Sequence, residues 1–142
     1  MTLTLETART IIEKALAEGE EHGFKPLTVV VLDAGGHVTA AARQDGASNN
    51  RFEIAQGKAY GALALGMGSR SIMERAEQQA YFIAAATAAL GGRLIPVPGG
   101  VLVRDSDGAV VGAVGISGDS SDNDEAAAAA AITAAGLTAQ VD

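Results

Sequence analysis

The chain has 142 residues and no cysteine, and it carries a formal charge of −7 from 10 basic and 17 acidic side chains. That length suits one domain, 1–142, able to bury about two thirds of its unfolded surface without a covalent staple. The missing cysteines exclude disulfides, thiolate metal sites and cysteine nucleophiles, and an acidic chain with scattered basic residues excludes nucleic acid or an anionic membrane as the main partner. No run is long enough to span a bilayer. Met1 to Glu6 lead straight into helix-like sequence rather than a basic-then-apolar leader, so a soluble, cytoplasmic protein is expected. Aromatic residues make up only 4% of the chain. The core must therefore be built from Ala, Val, Leu and Ile in thin layers, and a domain of this kind completes its burial through subunit contacts.

Thr4 is the expected N-cap of a first helix whose apolar stripe is Leu5, Ala8, Ile11, Ile12, Ala15 and Leu16, with Gly23 as its stop. His22, just before that glycine, reads as a C-terminal residue favoured by the helix dipole, or alternatively as a ligand to a metal or to haem iron. Pro26 opens a strand over Leu27 to Leu32, and Asp33-Ala34-Gly35-Gly36 turns the chain into a second strand from His37 to Arg43. The short loop makes this an antiparallel hairpin. His37 then shares a face with Thr39, Ala41 and Arg43, as a strand-end residue near solvent or as the second candidate iron ligand.

The loop Gln44 to Asn50 leads into a helix capped near Asn49 or Asn50, with Phe52, Ala55, Ala59, Ala62 and Leu63 as its main buried stripe. Lys58 falls on another face, beside Ile54, Gly61 and Leu65. It either snorkels to solvent or is partly buried with a lowered pKa, which would suit Schiff-base or proton-transfer chemistry. Gly66-Met67-Gly68 breaks this helix and Ser69 starts a short one; Met67 and Met73 read as packing residues, or alternatively as haem ligands. An alanine-rich segment from Gln78 to Leu90 ends at Gly91-Gly92.

Pro96-Val97-Pro98-Gly99-Gly100 is a rigid loop into a strand over Val101 to Arg104, and Asp105-Ser106-Asp107-Gly108 turns it back along the strand Val110 to Ser117. Strict alternation on this last strand puts Val110, Val114 and Ile116 on one face and Val111, Ala113, Gly115 and Ser117 on the other. With both faces apolar it is a central strand, and the small residues let a helix, a subunit or a ligand approach the backbone. After Gly118, Ser120 or Asp122 caps a final alanine-rich helix stopped by Gly136, so the strand end meets a helix N-terminus suited to an anion. Gly112-x-x-Gly115-x-x-Gly118 does not have the dinucleotide-binding spacing. The order helix, hairpin, helices, hairpin, helix describes an antiparallel sheet with helices on one or both faces.

The blocks Val31-Leu32-Asp33-Ala34-Gly35-Gly36-His37, Arg43-Gln44-Asp45-Gly46-Ala47, Ile54-Ala55-Gln56-Gly57-Lys58-Ala59-Tyr60, Pro98-Gly99-Gly100-Val101 and Gly112-Ala113-Val114-Gly115-Ile116-Ser117-Gly118, with Asp124-Glu125 beyond, run through nearly the whole chain. In this order they closely resemble the GlcG/HbpS haem-binding-like family, which includes the C-terminal domain of the PduO cobalamin adenosyltransferases. The resemblance implies an α+β, profilin-like fold with a five-stranded antiparallel sheet flanked by helices, its fifth strand near Leu94-Ile95 or Leu3. It also implies homo-oligomers, from dimers to octamers, with haem as ligand in several relatives. Gly61 stands where relatives often carry Thr.

Three functions follow. The first is a haem or small-molecule binder accessory to a catabolic pathway. Here His37 or His22 holds iron, and Gly99, Gly100, Gly115, Ser117, Gly118, Asp124 and Arg43 are the ligand-binding candidates, with the N–H groups after Ser117 facing propionates. The second is a lyase or isomerase acting on a small carbonyl or carboxylate compound, with Lys58 and Asp45 as the catalytic pair. The third is an accessory oligomer with no ligand of its own, its central cleft filled by side chains.

Overall fold

The computed structural model describes all 142 residues. Helix α1 (Leu5–Glu21) starts where the Thr4 hydroxyl accepts a hydrogen bond from the Thr7 N–H, and the backbone leaves it through Gly23 at φ +68°. Strands β1 (Thr28–Asp33) and β2 (Val38–Arg43) form the first hairpin. His37 belongs to the turn ahead of β2, not to the strand, because its carbonyl closes the turn by accepting from the Asp33 N–H. Helices α2 (Arg51–Leu65), α3 (Ser69–Gln78) and α4 (Ala80–Ala89) follow, the last two separated at Gln79 near the start of the alanine-rich segment Gln78 to Leu90. The second hairpin is β3 (Gly100–Arg104) and β4 (Val110–Ser117), followed by α5 (Ser121–Ala134) and β5 (Thr138–Gln140). Ser120 is the N-cap of α5, its hydroxyl accepting from the Asn123 N–H.

The five strands form one antiparallel sheet in the order β2-β1-β4-β3-β5. The resemblance thus gave the right fold, but the fifth strand lies neither at Leu94-Ile95 nor at Leu3. It is formed by three residues after α5 that pair with β3, a contact with no local sequence signal. Helices α1 and α5 pack on each other and cover one face of the sheet, and α2 covers the other. Beneath α1 and α5 lie Val29, Val31, Val101, Val103, Val114 and Ile116.

The α2 face is Val30, Leu32, Leu102 and Ala113 against Ala55, Ala59 and Ala62. A register shift between Val103 and Arg104 breaks the alternation on β4, so Val111 joins the α1/α5 core and Val110 packs against the α2 side. Glycines let α2 press its backbone onto the sheet: a Cβ on Gly115 would sit 1.9 Å from the Ala55 carbonyl oxygen, and one on Gly100 2.2 Å from that of Lys58. No helix is long and apolar enough to cross a membrane.

Candidate functional site

This close approach buries the one lysine of α2. Lys58 is 2% exposed; its Nζ donates to the Ile116 carbonyl at 2.9 Å and pairs with Asp124 Oδ2 at 3.1 Å. Asp124, in the first turn of α5 and 1% exposed, also accepts the Asp119 N–H at 2.9 Å. Burial pushes the Asp124 carboxyl up and the Lys58 amine down, while their mutual attraction opposes both shifts. The pair ties α2, β4 and the start of α5 together. It lines none of the surface clefts.

Asp45 is exposed and lines a cleft on the outside of the molecule, so the acid–base pair expected of Lys58 and Asp45 does not form. Of the candidate binding glycines, Gly99 lies against Ile116 and the Lys58 side chain, and Gly100 and Gly115 lie against the α2 backbone. The room left by their missing side chains is filled by protein. Two N–H groups after Ser117 are also committed: Asp119 donates to Asp124, and Ser120 to Asp119 Oδ2 at 2.8 Å. These two are not free for a propionate.

Open, polar geometry instead gathers where β1 begins and β2 and β4 end. The sheet register sets Arg43, Thr28 and Ser117 side by side in one row on the α2 face. Arg51, at the start of α2, donates through Nη1 to Ser117 Oγ at 3.1 Å. Arg43 donates through Nη1 to the Ala47 carbonyl at 2.8 Å. Three clefts ring this end. One of about 540 Å³ has Leu16, Phe24, Arg43 and Asp45 among its walls. Another of about 290 Å³ lies over Thr28, Arg43 and Phe52, and a third of about 230 Å³ is bordered by Lys25, Ser48, Arg51 and Gly118.

The two histidines lie at opposite ends of β1. His37 is largely exposed, with Nδ1 3.3 Å from Asp33 Oδ1, and the cleft next to it at Gly35, Gly36 and Tyr60 is only about 140 Å³. His22 stacks on Phe24 at a centroid separation of 5.6 Å and holds Glu18 Oε1 at 2.9 Å through Nε2. Glu18, Glu21 and His22 each offer a ligand atom within 4.8 Å of the others.

The family model described as haem degrading protein HbpS-like matches residues 3–133. The chain belongs to the HbpS-like family. Among solved structures, this HbpS-like domain is similar to a PduOC–haem complex, at 25% identity and a TM-score of 0.86 over 96% of this chain and 97% of that one. It is similar to ORFY of Klebsiella pneumoniae at 26% identity and a TM-score of 0.85, over 96% of this chain and 92% of that one. HbpS of Streptomyces reticuli, in a double-mutant form, gives 27% identity and a TM-score of 0.80 over 94% and 87%. No curated protein sequence gives a significant match. Two residues of this polar end escape the sequence reading. Arg51 looks like any first-turn residue, and Thr28 signals itself only as a hydroxyl at the head of an otherwise apolar strand.

Proposed function

We propose that this protein binds haem in the cleft between the end of α1 and the start of the loop after β2, and that it does so as a homo-oligomer. The observation that carries the reading is a cleft of about 540 Å³ walled by Leu16, Phe24 and Arg43, with His22 stacked on Phe24 beside it. That volume lies within the roughly 300–1,000 Å³ typical of small-molecule sites. The groups at hand fit haem: the His22 imidazole next to Phe24 for iron, an aromatic and aliphatic wall for the macrocycle, and a guanidinium for a propionate. Glu18 at His22 Nε2 leaves Nδ1 for the metal, the usual arrangement in which a carboxylate orients a ligating imidazole. His37 has only the small cleft beside it. The similar PduOC structure with haem supports haem as the ligand. Bound haem would supply an iron centre tuned by its axial ligand. A cytoplasmic accessory role in a catabolic pathway belongs to this proposal.

Haemin titration of the ligand-free protein is expected to give a saturable Soret band that His22→Ala shifts or abolishes and His37→Ala leaves unchanged. No saturable band overturns haem binding. A band sensitive only to His37→Ala overturns the choice of cleft.

A further inference from the structure

One hydroxyl in the molecule is out of place. Thr28 is 1% exposed, and its Oγ1 is the single buried side-chain polar atom without a hydrogen-bond partner. Such a group costs free energy unless something satisfies it. Its neighbours in the row do not: Ser117 is taken by Arg51, and Arg43 spends one N–H on Ala47. Thr28 does line the cleft of about 290 Å³ between β2 and the start of α2, together with Arg43, Asn49, Phe52, Ala41 and Ala42.

A second feature borders the same cleft, since Asn49 and Phe52 at the start of α2 are part of its wall. Helix α2 has 15 residues, yet its N-cap Asn50 makes no side-chain cap. The Arg51 N–H reaches the Ser48 carbonyl and the Ile54 N–H the Asn50 carbonyl, whereas the N–H groups of Phe52 and Glu53 find no acceptor in the chain. Two free donors at the positive end of a helix dipole, a guanidinium with N–H groups to spare and an orphaned hydroxyl together make a seat for a negatively charged oxygen. The remaining wall is apolar, Ala41, Ala42 and the Phe52 ring, and the volume is at the lower limit for a small-molecule site.

We propose that this cleft is a binding site for a small organic carboxylate, its carboxyl group held by Thr28, Arg43 and the first turn of α2, and its short apolar body lying on Ala41, Ala42 and Phe52. Phosphate fits less well, because it has no apolar part to bury against that wall and leaves more oxygens than the donors can meet. The site is separate from the haem cleft, with which it shares only Arg43.

The test follows backbone amide shifts by NMR as acetate, butyrate, benzoate and inorganic phosphate are added to ligand-free protein. Butyrate or benzoate is expected to give saturable shifts at Phe52 and Glu53 and to bind more tightly than phosphate. Thr28→Val, close to isosteric, should weaken that binding roughly tenfold, the worth of one hydrogen bond to a charged group, and Thr28→Ser should restore it. The proposal is overturned if no carboxylate gives a saturable shift, if phosphate binds more tightly than every carboxylate, or if Thr28→Val binds as well as the unchanged protein. The Soret response of Thr28→Val to haemin is expected to match that of the unchanged protein, so failure at this site and failure of the haem reading are read separately.

Discussion

At the scale of single residues, the Lys58–Asp124 pair is the feature with the largest consequence. Two charges are held out of water, and each is tolerable only because the other is present. Removing the ammonium by Lys58→Met strands a buried carboxylate and is expected to cost about 3–5 kcal/mol near neutral pH, read from urea denaturation. Adding Asp124→Asn removes that charge while keeping an acceptor for the Asp119 N–H, and should recover part of the loss. The pH dependence carries a definite sign. Burial already raises Asp124 above the ordinary carboxylate range, and Lys58 is the main influence holding it down. Without Lys58 the folded carboxyl binds its proton more tightly than the unfolded one. The single variant should therefore be least impaired in mild acid and lose stability as pH rises through the elevated value. A Lys58→Met protein with the same deficit in mild acid and mild alkali would show that Asp124 finds another partner or reaches water.

At the scale of elements, α2 and β4 are fitted to each other by absence of side chains. Gly115→Ala would place a methyl group 1.9 Å from a backbone oxygen of α2, and no rotamer change can relieve a clash with backbone. The helix would have to lift, opening the Ala55–Ala59–Ala62 contact and straining Lys58 away from Asp124. A loss of about 3 kcal/mol or more is expected from denaturant unfolding; a loss under about 1 kcal/mol would mean the helix lifts freely. That closeness was legible in the sequence, since a strand reading Gly112-Ala113-Val114-Gly115 invites a close neighbour. Which neighbour was not legible: a ligand and a helix both ask for small residues, and here the helix fills the space. The partner of Lys58 was hidden for a related reason. Asp124 lies 66 residues away, and only the assembled layers bring the two together. Hairpins fared better because their turn residues are contiguous, while the bulge that swaps Val110 and Val111 between faces has no mark in a run of apolar residues. Strand β5 is three residues long, too short for any periodicity to register.

At the scale of the whole molecule, one surface is unlike the rest. Helix α4 reads AYFIAAATAA, without a charged residue, in a chain carrying 10 basic and 17 acidic side chains. Only Ile83 of it is buried, α3 is the element it packs against, and Tyr81 is 75% exposed. An exposed helix with no polar face is the kind of surface that a second molecule covers. The proposed homo-oligomer supplies the occupant and the charge supplies the reason. Two copies that each carry −7 repel wherever acidic groups face one another, and an uncharged alanine helix is where like copies meet at least electrostatic cost. Alanines also allow helix backbones to approach closely across such a contact. Native mass spectrometry or light scattering of the unchanged protein is therefore expected to give a multiple of 14.2 kDa. Tyr81→Glu puts an unpaired charge into the contact and should shift the population toward smaller species while leaving the helical signal intact. A monomeric mass for the unchanged protein excludes self-association under those conditions. An oligomer indifferent to Tyr81→Glu would move the contact off α4 to another surface, such as the unpaired outer edge of β2, where Val38 is 45% exposed.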